Sequence, residues 1–385
     1  MMQRFFSPSK RTIRTRRRRS SSNVSRPSIR LLLERLEDRN LLSIFTVTNT
    51  LDNGNPGSLR WAINQANADA DPVSNINFYI PGSGLQTIAP TSALPTITHP
   101  VVIDGYTQPG SSLNTLGIGP GSPGHQNGDG DNAILKIQLD GENAGPVIAL
   151  RIIANGTSTV RGLVINRFQG AAIANGVGNA ESDIITGNFI GTDVTGTMAL
   201  PNNTAGFGVV GHAIGAISIF CSGNEIGGLS PADRNLISGN TVNGIYIYPS
   251  EENNQIQGNL IGLDATGIAP LGNGSQGIEA YGLGTIVGGT SGAARNVVSA
   301  NGGTFFDDSG VYGAGILVNN DYSIVQGNFV GTDVTGTLKL SNASSGIAVN
   351  SGSHITIGGT PAGAGNVTSS IVALGTGSGR CPADS

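Results

Sequence analysis

Three aspartates are the most conspicuous candidates for catalysis in this 385-residue sequence. Asp193, Asp264 and Asp333 each lie in a copy of the motif Gly-x-Asp-x-Thr-Gly. Glycoside hydrolysis needs two carboxylates that converge on one bond, and lyase chemistry needs calcium-binding acids with a basic proton acceptor. An active site is assembled once, from non-equivalent residues, so the recurrence argues against catalysis. The pattern favours Asx turns, in which each carboxylate satisfies its own turn backbone.

Four titratable residues that do not recur are the remaining catalytic candidates. They are His212, Glu225, Asp307 and Asp308. Nothing in their spacing brings them together, and no Ser-His-Asp order, phosphate loop or zinc motif rises above chance. The sequence therefore assigns no catalytic residue and leans against an enzyme. A polysaccharide lyase or glycoside hydrolase acting on acidic glycans is the alternative.

One glycine-rich loop, residues 117–132, offers oxygen ligands for a cation. Asn127, Asp129 and Asp131 alternate with glycine there, as in calcium loops. The EF-hand pattern requires a further acid at fixed spacing, which this loop lacks. A hydrophilic insertion is the favoured interpretation, calcium is the alternative, and no other cofactor is indicated. The two cysteines, Cys221 and Cys381, indicate neither a disulfide framework nor a metal cluster.

A long repeat must position these side chains. The motif Gly-Asn-x-x-Gly-x-Asp-x-Thr-Gly begins at Gly187, Gly258 and Gly327, at spacings of 71 and 69 residues. Short apolar runs punctuated by glycine and asparagine fill each repeat, and such strands bury a face only when stacked in parallel. The sequence therefore predicts an all-β fold, a right-handed parallel β-helix. With coils of about 23 residues, each repeat would hold three coils and the aspartates would lie about 14 Å apart.

Recurrent asparagines indicate the turns between these strands. Asn188, Asn259 and Asn328 occupy one repeat position, and Asn240 and Asn301 occupy another. Asparagine tolerates the left-handed backbone conformation, and stacked asparagines can hydrogen-bond to one another along an axis. We expect these residues, with the three aspartates, to be structural turn and ladder positions.

Two stretches resemble known β-helix proteins. The rhythm Asn-x-Ile-x-Gly-Asn at residues 254–259 resembles that of pectate lyases and periplasmic NosD-like proteins. Residues 45–115, with "GSLR-x-AI-x-x-AN" and "VIDGYTQPG", resemble the opening module of bacterial surface β-helix proteins of the pectin-lyase-like superfamily. The resemblance implies the same right-handed fold. Ser58 is expected to cap a helix from Leu59 to about Asn67 that covers the first coil.

Charge divides the chain in two. Residues 1–42 contain 12 of the 21 basic residues and three acidic ones, so this head carries +9 and the rest −13. An acidic body repels phosphates and excludes a nucleic-acid partner. No segment approaches the ~18 consecutive apolar residues that a membrane span needs.

The head itself resembles an export signal. Residues 33–42 are similar to the "LE-x-LE-x-R-x-LL" signature of surface proteins from planctomycete-type bacteria, where it follows an arginine-rich leader. The resemblance implies export to the cell surface or the extracellular space. We therefore divide the chain into a leader and sorting segment (1–43), a cap with the first coils (44–150), a repeat β-helix (151–375) and an irregular tail (376–385).

A structural, adhesive or glycan-binding role at the surface is the favoured function. Polysaccharides or other cell-envelope components are the expected partners. Tyr246, Tyr248 and Tyr281 could stack on sugars, although half-buried strand residues are the favoured interpretation of these tyrosines. The tail leaves the repeat rhythm without a visible C-terminal cap. An uncapped last coil predicts end-to-end self-association.

Overall fold

The structure is a computed structural model that describes residues 42–176, 182–205, 215–249, 251–302, 313–368 and 371–373. Three parallel sheets wind around one axis and form a right-handed parallel β-helix, which confirms the predicted fold. From Val101 onward, each coil contributes one strand to each sheet, in the order A, B, C, whereas the named strands before it belong to sheets A and B. Within these residues, no helix is long and apolar enough to cross a bilayer.

The strands of the three sheets are short, and most have two to five residues. Sheet A contains Ile44–Val47, Ser74–Phe78, Val101–Asp104, Thr159–Arg161, Ile184–Thr186, Glu225–Gly227, Gln255–Gln257, Ile286–Gly288, Ile324–Gln326 and Thr356–Ile357. Sheet B contains Gln86–Ile88, Ile137–Asp140, Leu163–Asn166, Phe189–Ile190, Leu236–Ile237, Leu260–Ile261, Val297–Val298, Phe329–Val330 and Val367–Thr368. Sheet C contains Leu150–Ile152, Ile173–Asn175, Gly215–Ile219, Asn243–Ile247, Ile278–Ala280, Ile316–Val318, Ile347–Val349 and Ile371–Ala373.

The core is a set of aliphatic stacks inside the coils. In sheet A, Ile185, Ile226, Ile256, Val287 and Val325 pair in register from coil to coil and are at most 1% exposed. Strands this short cannot bury a face alone, so stacking supplies the burial that stabilises each coil.

A short helix, Leu59–Asn67, covers the first coil. The Ser58 hydroxyl caps it by accepting a hydrogen bond from the Trp61 backbone N–H at 3.2 Å. Its apolar stripe joins the core and contacts the strands Ile44–Val47 and Ser74–Phe78; the stripe residues are Leu59, Ala62, Ile63 and Ala66. Short 3₁₀ helices occur at Gly105–Thr107, His125–Asn127, Pro231–Asp233 and Gly292–Ala294.

The coil count predicted for the repeat is wrong. In sheet B, Leu236–Ile237 lies between the motif strands Phe189–Ile190 and Leu260–Ile261, and Val297–Val298 separates the second from Phe329–Val330. One repeat therefore holds two coils of roughly 35 residues, within the range of solenoid repeats. The coils exceed 23 residues because the connections from sheet B to sheet C carry long excursions. Equivalent residues lie two strand spacings apart, about 10 Å rather than 14 Å.

Candidate functional site

The three motif aspartates hold the turns of hairpin-like excursions that follow sheet B. Asp193 Oδ1 accepts hydrogen bonds from the backbone N–H groups of Thr197 (3.0 Å) and Met198 (3.1 Å), and the Thr195 hydroxyl donates to Oδ2 at 2.7 Å. Burial alone would raise the pKa of Asp193, but these hydrogen bonds outweigh it and lower the pKa. Asp264 and Asp333 make corresponding bonds within their own turns.

The three excursions also stack directly on one another. The backbone N–H of Ala265 donates to the carbonyl of Gly196 at 2.9 Å, and that of Val334 donates to Gly267 at 2.9 Å. A Cβ on Gly196, at φ +68°, would lie 2.7 Å from Ala265 Cβ, so this contact needs glycine. The aspartates therefore support a stacked surface and do not converge on one bond.

Two asparagine ladders run the length of the repeat region. The first has one asparagine in each coil from Ile184 onward, in the turn from sheet A to sheet B; its members are Asn188, Asn235, Asn259, Asn296, Asn328 and Asn366. The second follows sheet B and consists of Asn202, Asn240, Asn273, Asn301 and Asn342. Each side-chain amide donates to the next oxygen at 2.9–3.1 Å.

Sequence reasoning found only alternate rungs of these ladders. The missed rungs are Asn235, Asn296 and Asn366 of the first ladder and Asn202, Asn273 and Asn342 of the second. Asn235 and Asn296 each directly follow an arginine, and this recurrent Arg-Asn pair was the signal that could have identified those two.

A long connection, residues 108–134, crosses the outer face of sheet B parallel to the axis; we call it the axial loop. The Arg234 guanidinium donates to the carbonyls of Leu116, at 2.9 Å, and Gly130. Two coils further on, Arg295 donates to the carbonyls of Ile118 and Pro120, both at 2.9 Å. The Arg295 guanidinium also lies 4.2 Å from the ring centroid of Phe329. These repeat-equivalent arginines fix the loop.

The calcium candidates lie in this axial loop but have separate partners. Asp129 Oδ1 lies 2.9 Å from His125 Nδ1 and accepts the backbone N–H of Gly119 at 2.9 Å. Asn127 donates to the Thr115 carbonyl at 3.3 Å. Among the residues described, no group of three or more His, Cys, Asp or Glu side chains could hold a metal ion.

Asp131 is the buried acid of the axial loop. Its Oδ1 accepts the backbone N–H of Ala133 at 2.9 Å, and its buried Oδ2 has no hydrogen-bond partner. Burial raises the pKa of Asp131 to about 6, opposed by the charge of Arg234. Burial likewise lowers the pKa of Arg234 to about 10, opposed by Asp131 and Asp129. The two charges stabilise each other beneath the loop.

Of the four non-recurring candidates, the structure places only Glu225. It begins the strand Glu225–Gly227 and is half-buried, and burial followed by the charge of Asp233 raises its pKa. His212, Asp307 and Asp308 lie outside the described residues.

Instead, the structure brings aromatic rings together where sheet C turns into sheet A. Phe220, Tyr248 and Tyr281 directly follow three successive strands of sheet C and are half-buried. The rings of Phe220 and Tyr248 lie 4.3 Å apart between centroids. Tyr246, which is only 7% exposed, packs behind them at 5.3 Å from Tyr248 and 5.6 Å from Tyr281.

The next two coils carry their rings at a later position of the same turn. Tyr322 lies three residues after Asn319, the residue in register with Tyr281. Tyr322 and His354 stack face to face, with centroids 4.8 Å apart and planes 6° apart. Both adopt φ near +60°, where equivalent turns carry Gly223 and Gly284. Left-handed conformations cost side chains roughly 1–2 kcal/mol, so the rings are presented at an energetic cost. Tyr322 is 56% exposed.

We call these five rings the aromatic corner: Phe220, Tyr248, Tyr281, Tyr322 and His354. They occupy five successive coils, a row about 19 Å long at the strand spacing. Asn319, in register with Tyr281, is 8% exposed, and neither its Oδ1 nor its Nδ2 has a hydrogen-bond partner. The aromatic faces provide stacking surfaces beside this buried amide.

No protein-family model matches the chain, and comparison with curated proteins also found no match. The assignment of a site therefore depends on the geometry of the corner.

Proposed function

We propose that this protein is an exported cell-surface β-helix that binds polysaccharide along the aromatic corner. The single observation that carries the proposal is that five successive coils each place a ring at the turn from sheet C to sheet A, in two stacked groups: Phe220, Tyr248 and Tyr281 around Tyr246, and Tyr322 with His354. Sugar rings bind aromatic faces through their C–H groups, and a row with the periodicity of the coils suits an extended polymer rather than a compact ligand.

Two further features support a binding surface. Tyr322 and His354 retain a left-handed backbone although glycine occupies the equivalent position in other coils. Such strain concentrates at functional sites, where the surrounding structure holds it in place. Asn319, in register with Tyr281, has a buried Oδ1 and Nδ2 without hydrogen-bond partners, an exception among native structures that is frequently tied to function.

Removing rings from the corner tests the proposal. We expect Tyr248→Ala and Tyr322→Ala each to weaken retention on immobilised polysaccharides about ten-fold, since one stacking contact contributes about 0.5–1.5 kcal/mol in addition to its buried area. Tyr79→Ala is the matched control, because Tyr79 is 64% exposed and directly follows the sheet A strand Ser74–Phe78, near the first coil. Equal retention of all three variants, or cleavage of the polysaccharide by the unmodified protein, would contradict a binding role.

The export part of the proposal rests on the leader-like head. Its basic run and the leucine-containing segment at residues 33–42 have the order of known surface-protein signals. Deleting residues 1–43 should retain the protein inside the producing cell, as measured by protease accessibility on intact cells. Unchanged accessibility would argue against an export role for this segment.

A further inference from the structure

The aromatic corner carries a concentration of acids without basic partners. Glu251, Glu252 and Asp321 lie on its turns, and its segments, residues 220–224, 248–254, 281–285, 319–323 and 350–355, contain no lysine or arginine. The ion pairs among the described residues involve other acids, none of which lies at the corner: Asp52, Asp104, Asp129, Asp140 and Glu142.

The turns of the corner hold the carboxylates of Glu251 and Asp321 and the backbone of Glu252 in place. Glu251 Oε2 accepts the Ser222 hydroxyl at 3.3 Å, and the same hydroxyl accepts the backbone N–H of Glu252 at 2.8 Å. Asp321 Oδ1 accepts the backbone N–H of Ser353 at 2.6 Å. Glu252 is exposed and lies four residues after Tyr248, which is half-buried. The acids therefore border the rings instead of serving distant partners.

We propose that the aromatic corner selects a polysaccharide whose sugars carry amino groups. This inference rests on the proposed function and adds the charge of the ligand. A protonated amine supplies the cation that the corner lacks, while the sugar rings stack on the aromatic row. The same carboxylates repel a polyuronate, so the acidic glycans typical of pectin-degrading β-helices do not fit this surface.

The local electrostatics agree with a cationic ligand. Burial raises the pKa of Glu251; a hydrogen bond from Ser222 opposes the rise and the charge of Glu252 adds to it. An arriving amine would relieve the repulsion between neighbouring carboxylates. A metal ion is a poorer match, because the described residues contain no group of three or more acids, histidines or cysteines with metal-site geometry.

Matched oligosaccharides test the proposal in the full-length protein. The probes are a β-1,4-linked glucosamine hexamer, its fully N-acetylated counterpart and an oligogalacturonate, with affinity measured by titration calorimetry at low and at about 0.5 M salt. We expect the glucosamine hexamer to bind most tightly and to lose its advantage at high salt. Glu252→Gln should weaken its binding up to about five-fold and leave the N-acetylated hexamer unchanged.

Glu142→Gln is the control, because Glu142 is an exposed acid on another turn, paired with Arg167. Equal binding of both hexamers, or no effect of Glu252→Gln, would overturn the amine preference while leaving polysaccharide binding intact. Tighter binding of the oligogalacturonate would overturn it as well. If no probe binds and Tyr248→Ala has no effect on any polysaccharide, the proposed function itself fails.

Discussion

Two aspartates, Asp183 and Asp193, show how single residues of one chain come to ionise differently. Asp183 is 1% exposed in the turn from sheet C to sheet A, where the next coils carry Asn224 and Asn254. Burial raises its pKa to about 6, although Asn175 and Ser158 donate hydrogen bonds to it. Asp193 has more hydrogen-bond donors and less burial, and its pKa is lowered. Solvent access and donor number therefore decide the direction of the shift.

We predict that unfolding temperature rises as pH falls from 7.5 to about 5. Asp131 and Asp183 have pKa values of about 6 in the folded state against 3.8 as reference, so folding favours their protonated forms. Their ionisation costs about 3 kcal/mol each at pH 7.5, and this cost disappears as pH falls below 4. The pKa values of Asp193 and Asp333 are lowered by folding, so these two carboxylates stabilise the fold when ionised. Their contribution is lost only as the pH falls below 3.8.

Calorimetry of Asp183→Asn checks this prediction. The variant places in this turn the residue type of the next two coils, and it should unfold at a higher temperature than the parent at pH 7.5, with a smaller gain on acidification. Asp193→Asn is the control, and it should unfold at a lower temperature at pH 7.5. An unchanged or steeper pH profile in Asp183→Asn would refute the explanation.

At the scale of elements, the excursions and the axial loop determine what the sequence could predict. The strands, the helix after Ser58 and the alternate ladder residues follow from local pattern. The coil count does not, because it was obtained by dividing the repeat by a coil length of about 23 residues. Nothing in the local pattern shows that an excursion such as residues 191–201 lengthens a coil without adding a strand to a sheet. Phe220, Tyr322 and His354 were missed for a related reason: they do not recur, and only the stacking of turns brings them to one corner.

The axial loop yields a prediction of its own. Arg295 binds the carbonyls of Ile118 and Pro120, and a Cβ on Gly119 would lie 2.8 Å from the Phe329 ring. Arg295→Ala should therefore loosen this part of the loop and speed amide hydrogen exchange at residues 117–122 by at least ten-fold. Exchange in sheets A and C should stay unchanged, which controls for global destabilisation. Equal exchange at residues 117–122 would show that the arginine does not hold the loop.

At the scale of the whole molecule, the two ends differ. The helix Leu59–Asn67 covers the first coil, whereas Thr356–Ile357, Val367–Thr368 and Ile371–Ala373 are the last strands of their sheets as described. Val367 and Ile371 are 43% and 38% exposed there. Edge strands with exposed apolar side chains readily pair with another chain.

End-to-end association through this edge is therefore expected. Sedimentation of the full-length protein should show a mass that increases with concentration. Val367→Lys should reduce that increase, because a charge at an edge strand disfavours pairing. Leu51→Lys, at an exposed position beside the capped end, is the control and should leave it unchanged. A monomer at all concentrations would rule out the association.

The direct stacking of Gly196, Ala265, Gly267 and Val334 has a consequence for how such a chain can lengthen. Both asparagine ladders advance by one coil, but the excursions touch only at every second coil. Duplicating one coil would therefore preserve the ladders and separate the excursions, whereas duplicating a pair would preserve both. We therefore expect a pair of coils to be the smallest segment that can be duplicated without loss of either contact. Relatives of different length should differ in their number of coils by multiples of two.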